Sequence, residues 1–296
     1  MCKTYDLLPS SLCISNISLI SVNPTGLGGF SDIFHALHGA QPVALKRIRI
    51  SLEGKDQKEL RRMFRQEALV WKNLTHSYVL PFLGIANDVF HPHWCMVLPW
   101  MDHGSIVDCI HRGVLQRINI QQFLYEVAQG LEYLHSQRIV HGDLRGANIL
   151  VDDNWHPQLA DFGLASLAEP ITSHTTSGRG CPRWMAPELQ YPENFSMKFQ
   201  RTPATDVYAF GCTCLELYTA QIPFCELSNN TTVIFKVLDG ERPSRPRLNL
   251  VAELTDKMWS LIEACWKQSH SERPSAQEAV RLMWEEINNL TLTLSN

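Results

Sequence analysis

Residues 141–151 read His141-Gly142-Asp143-Leu144-Arg145-Gly146-Ala147-Asn148-Ile149-Leu150-Val151, and after a polar turn at Asp152-Asp153-Asn154 the chain runs on to Asp161-Phe162-Gly163. An apolar triplet, a short polar turn and a second apolar-polar run read as a β-hairpin flanked by two acid-bearing loops. Such a hairpin brings Asp143, Asn148 and Asp161 to neighbouring strand ends, two carboxylates and an amide around one point. Oxygen donors of this kind suit Mg²⁺, which keeps several waters and shares its other positions with phosphate. An acid beside them that is not itself a ligand is placed to take a hydroxyl proton. Phosphoryl transfer is the chemistry this combination points to. One Asp in one loop is ordinary turn chemistry; two acids and an Asn at this spacing are not explained that way.

The same residues resemble the eukaryotic protein kinases, whose catalytic loop reads H-R-D-x-x-x-x-N and whose magnesium loop reads D-F-G. Other segments extend the likeness over residues 15–290. Gly26-Leu27-Gly28-Gly29-Phe30-Ser31-Asp32-Ile33 resembles the glycine-rich G-x-G-x-x-G-x-V, with Ser31 at the third glycine. Val43-Ala44-Leu45-Lys46 resembles V-A-I-K and reads as a third strand, after an approach to strand alternation at Ile17, Leu19 and Val22. Leu60, Phe64, Glu67 and Trp71 recur at helical spacing and predict a helix over 55–73. Phe123, Val127, Leu131 and Leu134 predict an amphipathic helix leading into the 141–151 stretch. Cys181-Pro182-Arg183-Trp184-Met185-Ala186-Pro187-Glu188 and Asp206-Val207-Tyr208-Ala209-Phe210-Gly211 are similar to two further kinase signatures. Ser275-Ala276-Gln277-Glu278 reads as a capping box opening a last helix.

The resemblance implies an α+β, bilobal protein kinase fold: a small antiparallel β-sheet N-lobe with one main helix, and a larger, mostly helical C-lobe. The expected layout is a lead-in over 1–14, the N-lobe over 15–98, a hinge over 99–104, the C-lobe over 105–290 and a tail over 291–296. It further implies ATP and Mg²⁺ as cofactors, with Asn148 and Asp161 holding the metal, Asp143 as base and Arg145 stabilising the transferred phosphoryl. Lys46 is expected on the phosphates, fixed by Glu67. Gly26, Gly28, Gly29, Ser31, Ile33, Ala44, Leu98, Pro99, Met101, Ser105, Asp108 and Leu150 are expected to contact nucleotide, with Leu98 as gatekeeper and Ser105 and Asp108 near the ribose. Glu188 is expected to pair with a buried Arg273, and Asp206 to hold the catalytic-loop backbone.

Two departures bear on activity. Gly142 stands where most kinases carry Arg, so phosphorylation among Thr172, Ser173, Thr175, Thr176 and Ser177 has less charge to organise and basal activity is expected not to depend strongly on it. Cys181 stands where the tyrosine kinase-like serine/threonine group carries Thr in G-T-P-R-W, and a thiol is a weak donor; the 143–190 string, with Gly142, resembles kinases of fungal type. The function that follows is transfer of the γ-phosphoryl of ATP to protein hydroxyls, Ser/Thr favoured over Tyr. A pseudokinase scaffold that binds ATP without transfer is one alternative, although Lys46, Asp143 and Asp161 are all present. A small-molecule kinase of the aminoglycoside or choline type is another; those share His-Gly-Asp but lack the 181–188 signature.

Composition narrows the partners. The net charge of −4 provides no electrostatic footprint for nucleic acid. Nine cysteines without paired CxxC spacing support neither a zinc site nor a disulfide framework. The stretch 12–22 is too short and too polar to span a membrane. A monomeric cytoplasmic enzyme acting on protein substrates, without membrane insertion, is the expectation.

Overall fold

A computed structural model describes residues 12–27, 31–48, 64, 68–91, 93–162, 181–247 and 251–294. The chain divides into two compact units, residues 1–101 and 102–296.

The first unit is built on an antiparallel sheet of β1 (Ile17–Leu19), β2 (Gly26–Leu27), β3 (Ser31–His38), β4 (Gln41–Ile48), β5 (Gly84–Phe90) and β6 (His93–Pro99). The strand order is β1-β3-β4-β6-β5, and β2 also pairs with β3. β1 and β2 are two pieces of one interrupted strand, since Ile17 lies opposite His38 and Gly26 opposite Ile33 on the same partner. The break holds Pro24, which has no N–H for a ladder. Val22, read as part of that alternation, is 80% exposed in it. Counting the interrupted strand once, Val43–Lys46 lies on the third strand, as expected; it carries the label β4 here.

Alternation sorts the strands into two faces. Phe34, Ala36, Val43, Leu45, Ala86, Cys95 and Val97 form one apolar core, with Ile14, Ile17, Leu19, Val89 and Phe90 packed on it. Asp32 and the guanidinium of Arg47 close its edge, 2.8 Å apart, with Arg47 4.8 Å from the ring centres of Phe34 and Phe90. Residue 64 and residues 68–72 are helical, and the rest of the helix expected over 55–73 lies outside the described residues, apart from a turn at 73. Phe64, Ala68 and Trp71 are buried at spacings of four and three, the period of one helix face. Trp71 Nε1 donates to Leu80 O at 2.7 Å.

In the second unit Ser105 and Asp108 form a reciprocal capping box for α1 (Ile106–His111). α2 (Ile120–Ser136) follows and buries Phe123, Val127, Leu131 and Leu134 along the expected stripe. β7 (Ile149–Val151) and β8 (Pro157–Leu159) form the expected hairpin, Ile149 opposite Leu159. Its turn is longer than Asp152–Asn154: Asp152 Oδ1 accepts from the amides of Asn154 and His156, both at 2.9 Å. Then come α3 (Pro187–Gln190), α4 (Pro203–Thr219), α5 (Asn230–Leu238), α6 (Asp256–Cys265) and α7 (Ala276–Leu294). Every residue of α4 from Thr205 to Tyr218 is buried, as befits a helix enclosed on all sides. α2 packs on α7, and α4 on α6. Ser275 Oγ accepts from Glu278 N, but the Glu278 carboxylate turns to Arg281, so the expected capping box at α7 is only half made.

Glu188, at the start of α3, meets Arg273 in a bidentate pair of 2.7 and 2.8 Å. Arg273 also donates to the carbonyls of Lys267, Ala204 and Gln268. Its guanidinium lies 5.1 Å from the Tyr208 ring centre, and that of Arg242 lies 5.2 Å from it. The Tyr208 hydroxyl itself is buried and meets no hydrogen-bond partner among the described residues. Tyr208→Phe is thus expected to stabilise the protein by about 1 kcal/mol, because it deletes a desolvated hydroxyl and keeps the ring. Urea unfolding checks this, and a loss above about 1 kcal/mol would mean that the hydroxyl is bonded.

Candidate active site

The second unit positions its acids from α4 outward. A box formed by Thr202 and Thr205 caps the helix and fixes its first turn, where Asp206 sits 1% exposed. One oxygen of Asp206 accepts from the amide of His141 and the other from that of Gly142, both at 2.7 Å. His135 Nε2 lies 2.9 Å from the former. The backbone at 141–142 is therefore anchored by a carboxylate 64 and 65 residues away in sequence. Gly142 has φ +80°, a conformation that glycine adopts without steric cost and that an L side chain resists.

This anchor delivers Asp143 to Asn148. Asn148 Nδ2 donates to the Asp143 carbonyl at 2.7 Å and to Asp143 Oδ2 at 2.8 Å, inside a 3-10 turn over Gly146–Asn148. Arg145 Nε lies 3.5 Å from the same Oδ2, and both side chains are about one-third exposed. Ala160 N donates to Asn148 O at 2.9 Å, which ties the end of the hairpin to this turn. Asp161 follows at φ +60°, a left-handed conformation uncommon outside glycine. His141 lies beneath, fully buried, with Phe162 edge-on at 6.2 Å. Burial holds its imidazole below the usual histidine range, against the opposing pull of Asp206, Asp143 and Asp161.

A pocket opens beside Asp143, lined among others by Gly142, Cys181, Met185 and Arg201. Burial pushes the Cys181 thiol up, with Arg145 and Asp143 in electrostatic reach, so the group stays a thiol at neutral pH. Ser105 Oγ donates to Asp108 Oδ2 at 2.7 Å, and Leu150 bridges to Ser105 across a short antiparallel contact.

In the first unit, register places Ser31, Ile33, Ala44, Lys46 and Leu98 on the sheet face opposite the apolar core. Ile33 lies opposite Lys46, Ala44 opposite Leu98, and Gly26 opposite Ile33. Lys46 is fully buried. Pro99 ends β6 opposite Val43, and Met101 is the last residue of the unit. Gly28, Gly29 and Glu67 lie outside the described residues, as do Gly163 and the hydroxyl cluster at 172–177. Among the described residues no group of three or more His, Cys, Asp or Glu side chains is arranged to hold a metal.

The sequence reading missed Glu216. This acid of α4 is 4% exposed, and its Oε2 accepts from Gly146 N at 2.9 Å and from Trp184 Nε1 at 3.0 Å. A lone acid in the apolar run Phe210–Tyr218 was the available signal, since a buried carboxylate needs donors. Burial raises its pKa to about 7 against the lowering effect of those two donors and Arg145. A folded-state pKa above the unfolded value means that this group's contribution to stability is complete below about pH 4.5. It is lost as pH rises through about 7, at a cost of about 3 kcal/mol. Glu216→Gln is expected to abolish that slope and to be more stable than wild type at pH 8, as read from urea midpoints at a series of pH values. An unchanged slope in the variant would assign the titration elsewhere.

The chain matches the family described as protein kinase domain over residues 20–285. It is 29% identical to the serine/threonine-protein kinase STY17 of Arabidopsis thaliana over 258 residues, 86% of this chain and 42% of that protein. The serine/threonine/tyrosine-protein kinase HT1 of the same plant is 27% identical over 88% of this chain and 64% of its own length. Cell division control protein 7 of Schizosaccharomyces pombe is 27% identical over 92% of this chain and 24% of its own length. The chain thus spans less than half the length of STY17 and about a quarter of the yeast protein.

Proposed function

The chain belongs to the protein kinase domain family, and on that premise we propose that it transfers the γ-phosphoryl of Mg-ATP to protein hydroxyls, serine and threonine before tyrosine. The observation that carries this reading is the Asp206 clamp, which holds Asp143 against Asn148 within one turn. Asp143 takes the acceptor hydroxyl's proton and aims its oxygen, through a carboxylate one-third open to solvent. Arg145 stands beside it as a cation for the transferred phosphoryl. Lys46, with Ile33, Ala44 and Leu98 on the same sheet face, binds the nucleotide; Glu67 is its proposed partner.

The donor set fits Mg²⁺. With its amide nitrogen engaged by Asp143, Asn148 has its carbonyl oxygen to offer a cation, and Asp161 adds a carboxylate. Two hard oxygen donors are what a magnesium ion that shares its shell with water and phosphate requires. When bound, the ion would offset charge on the phosphate oxygens.

Assignment to the tyrosine kinase-like group rests on Gly180-Cys181-Pro182-Arg183-Trp184, and the fungal type on the 143–190 string with Gly142. Among the described residues no helix is long and apolar enough to cross a membrane, and the described cysteines are free. A cytoplasmic monomer is the proposed setting. Phosphoamino-acid analysis of a labelled protein acceptor tests the specificity: phosphoserine and phosphothreonine are expected. Phosphotyrosine alone, or label confined to small-molecule acceptors, would overturn it.

A further inference from the structure

We propose that Trp155, in the turn between β7 and β8, is a positioning residue for nucleotide binding, its indole holding the segment His103–Ser105 in register with the strand that carries Leu150. On the kinase reading, on which this proposal rests, Ser105 and Leu150 contact the nucleotide.

The turn is closed by Asp152, whose amide donates to His156 O and whose carbonyl accepts from Trp155 N, both at 3.0 Å. Within it Trp155 takes φ +67°, a left-handed conformation that is an outlier for a bulky residue. Such a conformation persists where its surroundings over-determine it. Here the indole makes those contacts. The His103 imidazole stacks on it, ring centres 4.0 Å apart and planes 19° from parallel, and the Arg117 guanidinium lies 5.5 Å from its centre. The next residue fixes the turn to α2: His156 Nδ1 lies 2.8 Å from Oε2 of Glu126, a buried acid whose other oxygen accepts from Gln122. The turn thus reaches from α2 to residue 103.

His103 leads directly into the proposed nucleotide contacts. Its carbonyl accepts from Arg112 and, at 3.5 Å, from Cys109 Sγ on α1. Gly104 O accepts from Val151 N at 2.9 Å, and Ser105 pairs with Leu150. Backbone bonds therefore hold residues 104 and 105 to β7, while the side chain of 103 is held by Trp155. Both rings are only partly buried, so the stack adds little to the core and its effect falls on the segment it orders. Segment order present before binding is order that the ligand does not have to impose. An aromatic pair of this kind is worth about 2–10-fold in an equilibrium constant.

The test compares Trp155→Gly, Trp155→Phe, His103→Ala and the Gly/Ala double variant of the full chain, in steady-state transfer to a protein acceptor and in equilibrium ATP binding. Glycine takes φ +67° without steric cost, so Trp155→Gly removes the ring and leaves the backbone. It is expected to raise the KM and Kd for ATP about 3–10-fold with kcat within about 2-fold, whereas Trp155→Phe, which still stacks, stays within about 2-fold throughout. His103→Ala is expected to match Trp155→Gly, and the double variant to be no worse than either single change. If Trp155→Gly does not fold, His103→Ala reads the same contact with the turn intact. ATP affinity within about 2-fold of wild type in Trp155→Gly or His103→Ala, a kcat that falls as far as the affinity, or single effects that multiply in the double variant would overturn the proposal and leave the kinase reading standing. Wild-type protein that binds ATP yet transfers nothing would overturn the kinase reading, and the Kd values of the same variants would still decide this proposal; wild-type protein that binds no ATP would overturn both.

Discussion

Replacing Asp143 by Asn is expected to cut phosphoryl transfer by about 10²–10⁴-fold while ATP binding persists. The substitution is nearly isosteric and removes the one property that the reaction needs, a basic oxygen at the acceptor hydroxyl. Asn148 Nδ2 donates to both Asp143 O and Oδ2, and the backbone bond survives the change. The anchors of the loop, Asp206 to His141 and Gly142, do not involve the side chain at 143. A fall in rate at constant ATP affinity therefore isolates the proton acceptor from the scaffold. Steady-state transfer with nucleotide binding measured in parallel reads both. Activity within about 3-fold of wild type would remove Asp143 from the role of base.

Breaking the Glu188–Arg273 pair is the substitution with the largest expected effect on stability. Arg273 is 0% exposed in its side chain and Glu188 3%, so Glu188→Ala leaves a guanidinium in a site that water does not reach. Three backbone carbonyls still accept from it, but none carries a countercharge. The expected loss is about 3–5 kcal/mol, the range for removing one partner of a buried ion pair. Glu188→Gln, which keeps a hydrogen-bond acceptor and drops the charge, should fall between wild type and Glu188→Ala. Urea unfolding of the full chain measures both; a loss under about 1 kcal/mol for Glu188→Ala would mean that the carbonyls alone satisfy Arg273.

Much of this site is legible in the linear sequence because its parts are short-range. The β7–β8 hairpin follows from an apolar triplet, a polar turn and a second, apolar-polar run, and α2 from apolar spacing, which local geometry determines. Glu188–Arg273 and Asp206 were reachable only through the family likeness, since their partners lie 85 and about 65 residues away. Glu216 escaped both routes: its donors, Gly146 and Trp184, are 70 and 32 residues distant, and only packing around α4 brings them to one oxygen. The split of the first strand into β1 and β2 was missed because Ile17, Leu19 and Val22 only approach strand alternation: Val22 is out of step with the other two, and Pro24 follows. Ser105 and Asp108 illustrate the opposite ambiguity, since the same pair of residue types serves a helix cap and is offered for ribose contact.

The central claim is that the phosphorus moved is the terminal one and that its destination is a protein hydroxyl. The direct measurement incubates the protein, Mg²⁺ and a protein acceptor with ATP radiolabelled at either the γ- or the α-phosphorus. Label is predicted in the acceptor from γ-labelled ATP only, and none with Lys46→Met. Wild-type protein that binds ATP without labelling any acceptor, that transfers the α-label, or that is matched by Lys46→Met would contradict it.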